Sequence, residues 1–400
     1  MTAAEAIPRL HRVKRITYPS NGERSVLIEG PPCGIGHEAS SLYVVACLRA
    51  AGQSPNSMYQ QLLAVSLLLD WASHSGINVE QRTGSCNLFT RAEVLSLKDA
   101  LRTDMRPDRR GHVVSPSHFV ARCLAVKDYV VWHTENAIFR MRSDDVRRTQ
   151  SSQILDNFIA MITTGLPTAQ SGEREGLDEE VQELFLQAIH PESPLNPFQE
   201  QHRVRNYALL LLYWEKGSRR GENLKIKVSD LYLVGDNPKA QVRAHHDDPL
   251  DTRRIEPRVK TNERDLDISE KLRAAIEAWL GARTKYPRSK KCPYLFISRT
   301  GSPLAADTVN DMFRLLRSRV KGLPADLVTH HLRHSANDRF SDYAEAAGMD
   351  EAEERLVRNY MFGWNKNSSQ GERYSRRSTR KKAQKAALAM QSKLVEGGNA

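Results

Sequence analysis

One stretch, residues 163–176 (TTGLPTAQSGEREG), splits this chain into two halves with different hydrophobic patterns. Rich in Gly, Ser, Thr and Pro, it sustains neither a helical nor a strand period and reads as a linker between domains. Ahead of it the apolar residues recur at helical spacing. Residues 41–51 (SLYVVACLRAA), 57–74 behind Pro55, 91–101 behind the N-cap candidate Thr90, and 117–136 behind Pro116 predict four helices. Polar connections between them predict a small all-α domain over residues 38–162. Residues 1–37 form a mixed N-terminal extension, with strand-like runs at 13–18 and 25–29 around the turn Pro19-Ser-Asn-Gly.

Behind the linker the pattern becomes mixed. Residues 177–189 (LDEEVQELFLQAI) restart a helix with acids in its first turn, as the helix dipole favours. Residues 203–216 predict a strongly apolar helix, and 272–283 and 308–320 two more. Short strand candidates lie at 225–231, 241–244, 264–268 and 294–298. These predict an α+β domain over residues 177–388, mostly helical with a small antiparallel sheet, and a C-terminal tail at 389–400. Residues 375–394 are basic and helix-prone.

Charge narrows the function classes. Lys and Arg number 59 against 48 Asp and Glu, a net charge of +11. Such a surplus favours an anionic partner, either nucleic acid or an acidic membrane surface. The longest apolar run, residues 208–214, is far short of the ~20 residues a membrane span needs. The N-terminus, MTAAEAIPRLHRVKRI, has no apolar core of a secretory signal, so the expectation is a cytoplasmic protein with no membrane partner. Cys33, Cys47, Cys86, Cys123 and Cys292 are scattered without C-x-x-C spacing, which reads as reduced thiols rather than a disulfide framework or zinc site. The positive charge is not evenly spread. Residues 203–227 carry seven bases and two acids, residues 283–299 six bases and no acid, and residues 373–385 seven bases and no acid.

Three boxes in the second half belong together. The first is Gly217-Ser-Arg-Arg-Gly-Glu-Asn-Leu-Lys-Ile-Lys-Val-Ser-Asp-Leu231, behind an apolar helix. The second is Thr329-His-His-Leu-Arg-His-Ser335, and the third is Met361-Phe-Gly-Trp364, followed ten residues later by Tyr374. This order of an Arg box, an H-x-x-R box and a late Tyr resembles the tyrosine recombinase (phage integrase) family, over roughly residues 177–385. The four preceding helices look like that family's SAM-like, DNA-binding core-binding domain.

The chemistry can be argued from the residue types. Cutting a DNA strand without losing its bond energy requires covalent capture of the phosphate by a protein nucleophile. A tyrosyl oxygen suits this, because the 3′-phosphotyrosine bond resists water yet leaves readily for a returning DNA hydroxyl. Two guanidiniums stabilise the charge that in-line attack builds on the non-bridging oxygens. The leaving 5′-oxygen needs a proton from a nearby Lys or His. Neither a metal, a nucleotide nor any other cofactor is required.

Carried over residue by residue, the resemblance implies Arg219 as the first clamping Arg, with Arg220 its rival or a DNA-facing neighbour. It implies Glu222 as a buttressing acid, for which a plain helix salt bridge is the other reading. Lys260, in Arg258-Val-Lys-Thr-Asn-Glu-Arg264, resembles the general-acid lysine on the family's β-hairpin turn. His330 and Arg333 match the H-x-x-R pair, one helical turn apart. His331 stands where the family often has an acid; it removes the usual helix-capping carboxylate and competes with His330. Trp364 fills a position usually held by His, where its indole N–H can donate to a phosphate but cannot shuttle a proton. Tyr374 is the nucleophile candidate, with Tyr360 the alternative. Arg109 and Arg110 in the basic loop, and Arg376 and Arg377 in the tail, are candidate DNA contacts.

Two other patterns carry less weight. Gly34-Ile-Gly-His-Glu-Ala39 matches a dinucleotide fingerprint without the βαβ unit that would use it. The run His245-His-Asp-Asp248 cannot easily converge on one metal ion. The leading expectation is a site-specific recombinase, an integrase of a mobile element rather than a chromosome-dimer resolvase. By resemblance its partner is double-stranded DNA with inverted-repeat sites, bound as a dimer per site and a tetramer in the synapse. An inactive DNA-binding accessory of the same fold and a type IB-topoisomerase-like activity are the competing readings.

Overall fold

The computed structural model describes residues 9–31, 34–104, 109, 111–168, 175–368, 371, 380, 383–384, 386–388 and 390–391. The chain divides into two compact units, residues 1–172 and 173–400.

The first unit begins with a hairpin, β1 (Arg12–Thr17) and β2 (Arg24–Gly30), in antiparallel register from Arg12↔Glu29 to Thr17↔Arg24. A two-residue strand, β3 (Ile35–Gly36), extends the sheet along β2. Helix α1 (Glu38–Tyr43) runs into a π-helical turn, Val44–Arg49. Four further helices begin on polar caps: Ser54 for α2 (Pro55–His74), Asn78 for α3 (Val79–Gly84), Ser115 for α5 (Pro116–Phe139) and Asp145 for α6 (Val146–Thr163). Helix α4 (Arg91–Arg102) starts with a reciprocal capping box between Thr90 and Glu93. Leu62, Val65, Leu68, Leu97, Leu101, Val126, Val130, Phe158 and Ile162 meet in its core. The hairpin belongs to that core too, through Val26 and Ile28.

Helices α3 and α6 go beyond the four expected. The start of α6, VRRTQSSQ, is polar enough to hide its period. Its buried side chains are Ser151, Leu155, Phe158 and Ile162, a narrow stripe at spacings of three and four.

The second unit is mostly helical with a small antiparallel sheet. Helix α7 (Glu179–Ile189) precedes α8 (Glu200–Lys216), in which every residue from Ala208 to Tyr213 is fully buried. A helix apolar on all sides belongs at the centre of a unit. Accordingly, α8 packs against α7, α10 (Glu270–Arg283) and α12 (Thr329–Ala346). A short helix, α9 (Arg220–Lys225), leads to the sheet β4 (Leu231–Tyr232), β5 (Lys239–Val242) and β6 (Arg264–Asp267), paired in that order. Helices α11 (Ala306–Arg319) and α13 (Glu351–Met361) complete the unit.

Two strand expectations give way here. Residues 225–231 form the end of α9, a 3-10 turn at Val228–Asp230 and only the two residues of β4. Residues 294–298 make only isolated bridges, Lys227↔Tyr294 and Ile297↔Pro303. In both places the apolar run reports burial, as Ile226, Leu295, Phe296 and Ile297 show, and not strand pairing.

One ion pair ties α9 to the sheet. Arg264 donates from NH2 to Glu222 Oε2 at 2.7 Å, with both side chains buried. Removing one member of such a pair strands a charge in the interior, whereas replacing both is far less costly. Arg264→Met should therefore lower the unfolding free energy by about 3–5 kcal/mol. Adding Glu222→Met to the same chain should recover a large part of that loss. Urea titrations of the wild type, single and double variants measure both effects.

Candidate active site

Helix α8 stops at Gly217, whose φ of 54° and ψ of 23° lie in the left-handed region. A Cβ at Gly217 would sit 2.7 Å from the Cβ of Ala336 and 2.9 Å from Cε1 of Phe362. Glycine here lets α12 and the Phe362 ring close directly on the helix end. Two residues later, Arg219 takes the N-cap position of α9 with extended backbone. Its side chain is 26% exposed, and its NH1 lies 3.8 Å from Glu222 Oε1. That nitrogen is buried without a hydrogen-bond partner among the described residues. Arg220 is engaged elsewhere, donating from NH1 to Asn310 Oδ1 on α11 at 2.6 Å.

Glu222 is the hub of the site. Its carboxylate has no exposed surface and accepts the Thr261 hydroxyl at 3.0 Å as well as the Arg264 guanidinium. Arg264 also donates from Nε to the Met361 carbonyl at 3.0 Å and from NH1 to Thr261 Oγ1 at 3.0 Å. Lys260, exposed, directly precedes Thr261. Asn262 then binds the third box: its N–H donates to the Gly363 carbonyl at 3.0 Å and its Nδ2 to the Trp364 carbonyl at 3.1 Å. Gly363 has φ 67°, and a Cβ there would lie 2.4 Å from Arg264 NH1. Both the conformation and the close approach require glycine.

The H-x-x-R box opens α12. Arg333 is 1% exposed and donates from NH1 to the Gly217 carbonyl at 2.7 Å and from NH2 to the Phe362 carbonyl at 3.1 Å. Its guanidinium sits 5.2 Å from the Phe362 ring centre and 5.1 Å from that of Trp364, within cation–π range. The two rings are themselves stacked, with centroids 5.5 Å apart. His330 is exposed in the first turn of α12. His331 is buried, and its Nδ1 accepts the Val328 N–H at 3.2 Å. The imidazole thus makes the helix-start bond that a carboxylate at that position would make.

The fold therefore brings together Arg219, Glu222, Arg333, Trp364 and the segment that carries Lys260, through bonds among Gly217, Thr261, Asn262, Arg264 and Gly363. Arg264 was not singled out in the sequence, although it carried a signal. It shares the inward side of β6 with Leu266, an unusual place for a cation without a buried partner. Tyr374, Arg110, Arg376 and Arg377 lie outside the described residues. Arg109 is exposed beside a cleft of about 530 Å³ lined by Asp104, His112, Val113, Val114, Ser115 and His118. Tyr360, the alternative nucleophile, is 67% exposed on α13.

The two weaker patterns have ordinary structural roles. Gly34–Ala39 spans β3, antiparallel to β2, and the start of α1, so it builds no parallel βαβ unit. Asp248 accepts hydrogen bonds from Lys227 and Tyr294, and no group of three or more metal-ligating side chains is found among the described residues.

Two guanidiniums, Arg219 and Arg264, face the one carboxylate of Glu222, and Arg333 binds the Gly217 carbonyl two residues before Arg219. An arrangement with that imbalance suits an anion, and its planar forks suit a phosphate. The model of the phage integrase family matches residues 176–376. The type 1 fimbriae regulatory protein FimB of Escherichia coli (strain K12) is 28% identical over 160 residues, covering 40% of this chain and 68% of FimB. Among solved structures, XerA recombinase has 17% identity and a TM-score of 0.37, covering 84% of this chain and 92% of its own. A lambda integrase dimer bound to a COC′ core site has 10% identity and a TM-score of 0.45, covering 84% of this chain and 94% of its own. With half its length matched by the family model, the chain belongs to the phage integrase family.

Proposed function

We propose that this protein is a site-specific DNA recombinase that cuts and rejoins strands through a 3′-phosphotyrosine intermediate. Its role is integration or excision of a mobile element. Residues 177–388 carry the chemistry, and residues 38–162 form the helical domain that grips DNA. The partner is double-stranded DNA with inverted-repeat sites, one dimer per site and a tetramer in the synapse. No cofactor takes part.

In this reading Tyr374 Oη attacks the scissile phosphorus, the P–O5′ bond breaks, and a tyrosyl ester to the 3′ side forms. The phenol proton goes to a neighbouring base, for which His330 is the candidate. Lys260 delivers a proton to the departing 5′-oxygen. Arg219 and Arg333 hold the non-bridging oxygens, and the Trp364 indole adds a donor. Rejoining reverses these steps with a DNA 5′-hydroxyl as the nucleophile.

One observation supports this reading above the others: among the described residues Arg219 NH1 is buried without a hydrogen-bond partner, on a side chain that still reaches solvent. A fixed cation with an unmet donor is preorganised for an anion and needs little rearrangement to stabilise charge that appears during reaction. The meeting of two guanidiniums, Arg219 and Arg264, on the single carboxylate of Glu222 strengthens the point.

A pool of nicked duplexes of random sequence tests it. The wild type should trap a DNA adduct that survives denaturing electrophoresis, and sequencing the trapped strands should return a recurrent site. Tyr374→Phe should abolish the adduct; an adduct that persists in this variant would falsify the nucleophile assignment. On the recovered site, Arg219→Ala should slow cleavage by about 10²–10³ with duplex binding largely retained. Replacing Arg376 and Arg377 by Gln should instead weaken binding to all sequences alike and flatten its salt dependence. Gel-shift titrations at several salt concentrations separate the two outcomes.

A further inference from the structure

The pairing of β5 with β6 ends at Val242↔Arg264, leaving residues 243–263 as a long connection without a ladder of its own. Connections of such length inside a compact unit are uncommon, and when ordered they have a function or a specific anchor. This one is anchored by charge. Asp248, Asp251 and Arg253 are buried within it, and Asp251 meets Lys225 at the end of α9.

The bonds are directional. Arg253 grips both oxygens of Asp251, at 2.8 Å from Nε and 2.6 Å from NH2. Its NH1 donates to the carbonyls of Leu224 and Leu304, each at 3.0 Å. The Leu224 carbonyl belongs to the last turn of α9, where no further turn can satisfy it. Lys225 Nζ bonds Glu256 and lies 3.5 Å from Asp251 and 3.4 Å from the Tyr294 hydroxyl. Asp248 accepts Tyr294 Oη at 2.6 Å and Lys227 Nζ at 2.8 Å. Burial works against ionisation of Asp248, yet these two partners hold its carboxyl well below the usual range. Three carboxylates thus face three cations.

From this clasp the chain runs back along α9. At its other end a Cβ on Gly221 would lie 2.2 Å from the Arg258 carbonyl oxygen, so the connection lies directly on the first turn of the helix. Lys260 follows two residues later, and Thr261 then reaches Glu222. Helix α9 is therefore a short ruler. Arg219 stands at its start, the clasp grips its end, and the segment bearing Lys260 is laid between the two.

We propose that Arg253, with Asp248, Asp251, Lys225 and Glu256, is a positioning device that sets Lys260 against Arg219 for proton delivery to the departing 5′-oxygen. This rests on the general-acid reading of Lys260 given above. An apolar cluster of equal volume would hold the loop without the cost of burying four charges and half-burying two more. Directional bonds instead fix which residue of the connection lies over which turn of α9. An error of about 1 Å in such placement costs about 10²-fold in rate.

The test uses the full chain and two nicked duplexes of the recovered site, one with the normal 5′-oxygen at the scissile phosphate and one with a bridging 5′-sulfur. A thiolate leaves without a proton, so the sulfur duplex bypasses the general acid. Arg253→Lys keeps the charge but loses the fork; its cleavage of the oxygen duplex should fall about 10²-fold while that of the sulfur duplex stays within a few-fold of wild type. Lys260→Ala should show the same pattern, whereas Arg219→Ala should be slow on both. Asp248→Asn, an isosteric change at the other side of the clasp, is read in the same way and serves if Arg253→Lys does not fold. Wild-type rates on both duplexes, or equal slowing on both, for the clasp variants overturn the positioning role. If Lys260→Ala is not rescued by sulfur, the general-acid reading falls and this proposal with it; rescue of Lys260→Ala alone overturns only the clasp.

Discussion

A carboxylate with no exposed surface must be met by cations or donors, and Glu222 is such a group. What meets it comes from elsewhere in the chain: Arg264 from β6, Thr261 from the connection before it, and Arg219 from its own helix start. Because Arg264 also holds the Met361 carbonyl, one buried charge brings α9, the Lys260 segment and the end of α13 to a common point. A buried pair of this kind adds little net stability over an apolar substitute. Its effect is to fix relative positions, since each bond accepts only a narrow range of distance and angle. Among the described residues, two guanidiniums thereby share the one carboxylate of Glu222.

Arg333 shows how such a cation is held ready. Both terminal nitrogens are bonded to backbone carbonyls, Gly217 on one side and Phe362 on the other, while two aromatic faces flank the guanidinium. Carbonyl dipoles and ring quadrupoles lower the cost of burying the charge. The field of a fixed, poorly solvated cation is much stronger than that of one in water. The positive φ of Gly217 and Gly363 makes room for this packing, so these glycines are as much a part of the site as the charged residues.

Local signals in the sequence led to much of this. The Arg box, the H-x-x-R box and the Gly-Trp pair each lie within a few residues, and helix α8, which leads into the first, stands out as a strongly apolar run. Arg264 and the clasp around Tyr294 were missed because their meaning lies in partners far away in the chain: Glu222 is 42 residues from Arg264, and Lys225 is 69 from Tyr294. Spacing rules cannot see such pairs. The strand expected at 225–231 failed for a related reason. Leu224 and Ile226 are buried by tertiary packing, which imitates a strand's apolar run while the backbone turns as α9 and a 3-10 segment. His331 was legible only as a departure from a pattern, and its cap bond depends on the ring's orientation in the folded chain.

The same distinction applies to the charge surplus. Of the seven bases in residues 203–227, Arg203 and Arg205 donate to internal carbonyls and an amide, Arg220 to Asn310, Lys225 to Glu256 and Lys227 to Asp248. Arg283 likewise serves the carbonyls of Cys292, Tyr294 and Leu295. These cations build the unit, and buried ones such as Arg205 and Lys225 have no counterions to release when DNA arrives. Lys285, Arg288, Lys290, Lys291 and Arg299 in the neighbouring segment are different, all five being exposed. Counterion release follows the cations that meet phosphates, not those the composition counts. The salt dependence of binding should therefore be set by residues 285–299 and the basic tail, while the Arg box, equally rich in bases, contributes little to it.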